Sequence, residues 1–260
     1  MVHIQALIDD TKCLQTVRLM RWPDGVRCPG CGSAEVTKDG HDDTQPERQR
    51  YQCHGCRKRF DDLTGTIFAG HHQPLRVWVL CLYFMGLNLS NEQIAQELGV
   101  DPDDAQVMAS RLREGIAERK PEVALSGEVV IRMLANVQQV TIGPLVRAII
   151  TPGSTVYTDE YDIDHRLDEW GYEHRSVCHA AGEFARDDDG DGFCEVHVNT
   201  LEGFWSLLRS WLRPHRGISQ EKLPLYLGFF EFVHNVRKRG KALLGSLVEL
   251  LVRPGPRNAG

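Results

Sequence analysis

The sequence lacks any long hydrophobic run. Its longest near-continuous apolar stretch, Val77–Leu89, is too short to span a bilayer, which needs about 20 residues. The N-terminal segment MVHIQALIDDTKCLQTVRLMRW has neither an uninterrupted apolar core nor a small-residue cleavage site, so no secretory signal is read there. The expectation is a soluble, cytoplasmic protein with no membrane partner. An excess of basic charge is also missing: 30 Lys and Arg face 36 Asp and Glu, a formal net charge of −6. That total hides an uneven distribution. Residues 122–200 carry 15 acids against 5 bases, whereas residues 201–260 carry 4 acids against 10 bases. An acidic middle with basic flanks fits a cation-binding centre with separate contacts to nucleic acid.

Cysteine is present, at 8 residues, and its spacing argues for metal rather than disulfides. Cys28 and Cys31 lie in RCPGCGS, Cys53 and Cys56 in YQCHGCRKRF. Two CxxC knuckles can close a tetrahedral sulfur cage around Zn2+, each knuckle turning its backbone N–H groups towards the sulfurs. The stretches AEVTKDG and RQRYQC between them read as strands joined by a polar loop, residues 39–47, which makes the whole a zinc ribbon. Arg48, Arg50, Arg57, Lys58 and Arg59 cluster there beside Tyr51 and Phe60, as a phosphate-facing patch would. Cys13, Cys81, Cys178 and Cys194 have no ligand spacing and read as small core residues.

A helical stretch follows. Residues 74–87 are strongly apolar; SNEQIAQELG then carries a capping box between Ser90 and Gln93 and stops at Gly99. DPDD starts another helix, with Asp101 as cap and Pro102 in the first turn. Helix, glycine turn, helix is the outline of a helix-turn-helix, with Gln106, Ser110, Arg111 and Arg113 on its second helix. Asp103 and Asp104 in that first turn are poor residues to present to phosphates; a plain three-helix packing unit is the alternative.

Beyond a linker containing Pro121 and Gly127 the pattern becomes strand, helix, strand: EVVIRMLANV, TIGPLVRAII, and a short strand in STVYTDEYD ending at Asp159. A carboxylate at the carboxyl end of such a strand is where ligands and metals tend to sit; a turn or capping aspartate is the alternative. In HVNTLEGFWSLLRSWLRP, Leu201, Phe204, Trp205, Leu208, Trp211 and Leu212 form an apolar helical stripe, and Glu202, Ser206, Arg209 and Arg213 a polar one.

In this order, the CxxC…CxxC ribbon, the helix pair, VYTDEY, HVNTLEGFWSLLR and a basic tail resemble the zinc-ribbon insertion-sequence transposases of the DDE class, the ISXO-like group. The resemblance covers nearly the whole chain. It implies a ribonuclease-H-like catalytic domain whose carboxylates hold two Mg2+ ions that activate water and then a DNA 3′-hydroxyl. Residue by residue, it places the second catalytic acid on Asp159 and the third on Glu202, with Asn199 as a rival third residue and Arg209 on the DNA backbone. Asn199 as cap with Glu202 in a capping box accounts for the same residues without catalysis. Arg237, Lys238 and Arg239 open the basic tail as further DNA contacts. Double-stranded DNA and self-association are the expected partners.

One departure stands out. The family's first aspartate lies on the opening strand of the catalytic domain, and here LSGEVVIRMLANV offers Arg132 at that place. The distance from Gly127 to Asp159 is too short for the intervening strands and helix. An internal deletion is the simplest reading, with Glu128 as a substitute acid the alternative. The resulting division is an N-terminal helix and zinc ribbon (1–70), a helix-turn-helix-like module (71–120), a truncated α/β ribonuclease-H-like domain (121–236) and a basic tail (237–260). The functional expectation is a transposase-like DNA-binding protein with a defective catalytic centre; a non-catalytic DNA-binding protein is the alternative. DDDGDG (187–192) matches only half of an EF-hand loop, since Val198 stands where its glutamate belongs, and reads as an acidic loop. His174 and His179 flank Cys178 without metal-ligand spacing.

Overall fold

A computed structural model describes residues 8–120, 128–159, 166–177, 185–186, 196–197, 199–238, 240 and 242–253. The chain divides into two compact units, one formed by residues 1–121 and 217–260 and the other by residues 122–216.

The first unit opens with helix α1 (Asp10–Arg21), whose first turn is closed by the Asp9 carboxylate accepting from the Thr11 N–H. The ribbon follows as an antiparallel sheet of β1 (Val36–His41), β2 (Gln49–Cys53) and β3 (Arg59–Asp61) in the order β1-β2-β3. Alternation along β2 sends Gln49, Tyr51 and Cys53 inward. Tyr51 stacks on Phe60, its register partner on β3, at 5.3 Å, and Trp22 meets Tyr51 edge-on at 5.9 Å. Tyr51 and Phe60, expected beside a phosphate patch, therefore form the ribbon's core with Cys28 and Cys53. The two strands and the loop read from the sequence are present; β3 is an addition.

One carboxylate ties α1 to the ribbon. Asp62, fully buried, accepts from Arg18 Nε at 2.8 Å and Nη2 at 2.5 Å, from the Gln49 N–H at 3.0 Å and from the Tyr51 hydroxyl at 3.1 Å. Arg21 adds donation to the Asp62 and Thr64 carbonyls. Breaking a buried charged network strands each remaining partner without its bond. Asp62→Ala is expected to cost about 3 kcal/mol of local stability, a value set below that of a wholly buried pair because Arg18 is 31% exposed. Amide hydrogen exchange along β2 measures it; unchanged protection at Gln49 and Tyr51 would contradict it.

The rest of this unit is helical: α2 (Leu75–Gly86), α3 (Asn91–Leu98), α4 (Pro102–Arg119), α7 (Leu223–Lys238) and α8 (Leu243–Val252). The capping box predicted at Ser90 and Gln93 is present, as is the Asp101 cap with Pro102 in the first turn of α4. Gly99 carries the chain between α3 and α4 at φ +66°, a conformation L side chains disfavour. Nine of the twelve residues of α2 are buried, as its apolar sequence requires. Helix α4 packs on α2, α3, α7 and α8. A Cβ added at Gly115 would lie 2.7 Å from Ile67 Cγ2 and 3.0 Å from Leu251 Cδ2, so this glycine sets how closely α8 approaches α4.

The segment expected as a basic tail is different. Residues 243–252 form α8, with Leu247, Leu251 and Val252 wholly buried against the N-terminal helices. The apolar repeat LLGSLVELLV outweighs the flanking charges, because burial of those side chains drives the helix onto the bundle.

In the second unit, α5 (Gln139–Ile149) precedes β4 (Thr155–Asp159), which pairs in parallel with β5 (Glu173–Val177). β6 (Ala185–Arg186) and β7 (Val196–His197) form a two-stranded antiparallel ladder, and α6 (Asn199–Leu212) follows. Trp170 packs so closely on α5 that a Cβ at Gly143 would stand 2.9 Å from its ring. The helix and the strand ending at Asp159 match expectation. The strand expected over EVVIRMLANV does not form: residues 128–138 carry no ladder, and Met133, Leu134 and Val137 are exposed. Strand propensity in a β-branched run is context-dependent and does not by itself produce a ladder.

Candidate metal centre and nucleic-acid contacts

The two knuckles bring the sulfurs of Cys28, Cys31, Cys53 and Cys56 to within 4.8 Å of one another. Cys28 Sγ lies 3.6 Å from Cys56 Sγ, and Cys31 Sγ 3.5 Å from Cys53 Sγ. Four sulfurs on a tetrahedral zinc with Zn–S bonds of about 2.3 Å stand roughly 3.8 Å apart, so the cage fits that ion in donor chemistry and size. The Cys56 N–H donates to the Cys53 sulfur and holds that thiol down at about 7. Cys31, although a Ser33 backbone donor favours its thiolate, is pushed up to about 12 by hydrogen bonds with the other three thiols. A thiol set in which one member ionises readily is prepared to exchange protons for a metal. Of the cysteines assigned to the core, Cys81 is fully buried and its thiol is pushed up to about 12 by burial; Cys13 is half-buried. Cys178, Cys194, His179 and the DDDGDG loop lie outside the described residues.

The predicted basic patch separates into two groups. Arg48 is largely buried and bonds Asp61 at 2.6 Å. Burial alone would raise the Asp61 carboxyl, but the Arg48 guanidinium and Thr64 hydroxyl outweigh it and hold it low. Arg50 reaches Asp42 at 3.0 Å and Asp43 at 3.4 Å, while Asp42 is held at about 2, first by the Thr44 hydroxyl and then by Arg50. Arg59 pairs with Asp39 at 2.9 Å yet stays 77% exposed. Arg57 and Lys58 are exposed and make no ion pair among the described residues.

On α4, Gln106 and Arg111 are exposed, and Arg111 bonds the His71 ring. Arg113, expected on the DNA-facing helix, is instead 2% exposed and lies over the Tyr226 ring at 3.9 Å. Desolvation lowers its pKa, and Nε and Nη1 have no hydrogen-bond partner among the described residues. It falls on the stripe of Ala105, Met108, Ala109, Leu112 and Ile116, where helical geometry leaves no route to solvent.

The acids predicted for catalysis are placed on the elements expected of them. Asp159 is the last residue of β4; its side chain lies outside the described residues. Asn199 opens α6, and Glu202, in its first turn, is exposed. Arg209 is exposed on the same helix, its Nε bonding the Trp205 carbonyl at 3.3 Å. Of the six residues of the predicted apolar stripe, Leu208 and Trp211 are buried, Phe204 and Leu212 are half-buried, and Leu201 and Trp205 are 50% and 43% exposed. Arg132 and Glu128 stand on the strandless segment before α5. Arg237 donates to the Gly86 carbonyl at 2.7 Å, Lys238 is exposed, and Arg239 lies outside the described residues. Among the described residues, the four cysteines are the one cluster of three or more metal-ligating side chains. Sequence reasoning missed the Asp62 network; Arg18 and Arg21, one turn apart on α1, were its available signal.

A four-thiol ribbon attached to a helical bundle, with Asp159 ending a parallel strand of a second unit, makes this a zinc-ribbon protein. Residues 8–59 match the transposase zinc-ribbon domain, and residues 106–235, half of the chain, match the ISXO2-like transposase domain. The chain belongs to the ISXO2-like insertion-sequence transposases. It is 28% identical to an uncharacterized protein in transposable element ISH50 of Halobacterium salinarum, covering 96% of this chain and 99% of that protein. It is 30% identical to an uncharacterized transposase-like protein of Haemophilus influenzae over 40% of this chain and 77% of that one. The Halobacterium comparison runs over 301 positions against the 260 residues here, so at least 41 positions face a gap in this chain. No solved structure matches significantly. No helix among the described residues is long and apolar enough to cross a membrane.

Proposed function

We propose that this chain binds the DNA of its insertion sequence through the ribbon-bearing unit and retains only part of a DDE catalytic centre. The carrying observation is the strandless segment, containing Arg132 and no aspartate, where the opening catalytic strand belongs, and the at least 41 positions that face gaps in this chain agree with it. Met133, Leu134, Val137, Val140, Leu201 and Trp205, all exposed in the second unit, support the same reading, since a complete α/β domain covers such side chains. The ribonuclease-H-like architecture, truncated here, is part of this proposal.

In this reading Asp159 and Glu202 are the second and third acids, with Asn199 the rival for the third place, and Arg209 steadies the DNA backbone. Mg2+, when bound in an intact relative, supplies the Lewis acid that polarises the phosphodiester. Two carboxylates alone do not fit a pair of divalent ions, and no step is assigned to Mg2+ in this chain. The helix pair α3–α4 presents Glu92, Glu97, Asp101, Asp103 and Asp104 with no base before Arg111. Any base reading by it is secondary to phosphate contact.

The test is binding of the zinc-loaded full chain to duplexes taken from the DNA flanking its gene, against scrambled duplexes, followed by fluorescence anisotropy. Binding to both, modestly tighter to inverted repeats, is expected. Absence of binding at low salt would overturn the proposal.

A further inference from the structure

We infer that the ribbon contacts nucleic-acid phosphate through Arg27, Arg57 and Lys58, the cations gathered on its two cysteine knuckles, and not through the arginines of its sheet. The inference rests on the DNA-binding reading above and names the residues that carry it.

The sheet arginines are already committed. Arg48 is held by Asp61, Arg50 by Asp42 and Asp43, and Arg59 by Asp39. The groove of about 320 Å³ that Arg50 and Arg59 line also contains Asp39 and Asp61, two acids against two bases. An approaching phosphate meets no net positive charge there and must displace a carboxylate to gain a contact. Counterion release, the main source of affinity for nucleic acid, needs cations that are free to neutralise phosphate.

The knuckle cations are free. Arg27, Arg57 and Lys58 are exposed, and none has an acidic partner among the described residues. They also converge. Arg27 Nη1 lies 3.4 Å from the Gly32 carbonyl of the first knuckle, and Lys58 Cδ passes 3.6 Å from the Cβ position of Gly30 in the same knuckle. Arg57 is adjacent to Lys58 and adopts φ +60°, a left-handed turn in which glycine is the ordinary residue. The Gln52 side-chain amide holds the Arg57 carbonyl at 2.7 Å. The turn therefore keeps a guanidinium where a glycine would serve the backbone better.

Four thiolates on one zinc ion carry a net charge of −2, so these cations also stabilise the metal core. Three positive charges against two leave the face attractive to phosphate. Zinc content must therefore be measured beside DNA affinity.

The experiment uses the zinc-loaded full chain and a mixed-sequence duplex, with affinity measured over a salt series. Arg27→Gln/Arg57→Gln/Lys58→Gln should reduce the steepness of the log–log salt dependence by about 3 and weaken binding at least tenfold, whereas Arg50→Gln leaves the slope unchanged. A triple variant that has lost zinc is replaced by the three single variants, each expected to remove about one from the slope. If the wild type binds and all of these slopes equal its own, the inference is overturned while the DNA-binding reading stands. If the wild type binds no duplex at any salt concentration, that reading fails and the inference with it.

Discussion

Chelation of zinc, or Cys53→Ser, is expected to unfold the ribbon outright. The sheet β1-β2-β3 has a core of four residues, Cys28, Tyr51, Cys53 and Phe60, two of which are themselves ligands. So small a core supplies little hydrophobic stabilisation, whereas a structural zinc on thiolates contributes on the order of 10 kcal/mol of folding free energy. Metal analysis should find one zinc per chain. On chelation, the aromatic proton resonances of Tyr51 and Phe60, shifted by their mutual stacking, should collapse to random-coil positions. Helices α2, α4, α7 and α8 pack on one another without the ribbon and should keep their helical circular dichroism. A metal-free chain whose ribbon resonances stay dispersed would refute the assignment.

Strand transfer by this chain should be slower than that of a longer relative by roughly a thousandfold or more, about 4 kcal/mol of transition-state stabilisation. Two divalent ions held close together need bridging carboxylates to offset their repulsion. In the proposed centre Asp159 and Glu202 would be the second and third acids, and Arg132 stands where the family's first aspartate is expected. Incubation of the full chain with Mg2+ or Mn2+ and a DNA bearing the element's ends, with nicked and joined products resolved on a gel, provides the measurement. Efficient joining abolished by both Asp159→Asn and Glu128→Gln would show that Glu128 completes the centre and would sink the prediction.

The features legible in the sequence share one property: neighbours in sequence settle them. The capping box at Ser90 and Gln93, the Asp101–Pro102 start of α4, the two cysteine knuckles and the strand ending at Asp159 each depend on residues within a few positions. What was not legible depends on distant partners. EVVIRMLANV has the composition of a strand, yet residues 128–138 take no strand conformation. Arg113 looks like a surface arginine until α7 lays Tyr226 over it. The sheet arginines look like a phosphate patch in the sequence because their partners, Asp39, Asp42, Asp43 and Asp61, become counter-charges only when the strands and the loop fold together. Residues 243–252 were read by the charges around them, although their own leucines decide where they go. For the proposed catalytic residues, the resemblance supplies what spacing alone does not, since nothing local distinguishes a capping Glu202 from a metal ligand.

The first unit takes residues from both ends of the sequence, 1–121 and 217–260, and holds the second as an inserted segment between α4 and α7. On the ribosome, the N-terminal helices emerge long before α7 and α8 are made, so the bundle remains open until the last stretch of chain is translated. The same topology insulates it from damage. A loss of residues confined to the insert shortens a loop between two packed helices and leaves every contact within the host unit available. Under the proposed function, one mutational event could remove the chemistry and leave the host unit able to fold.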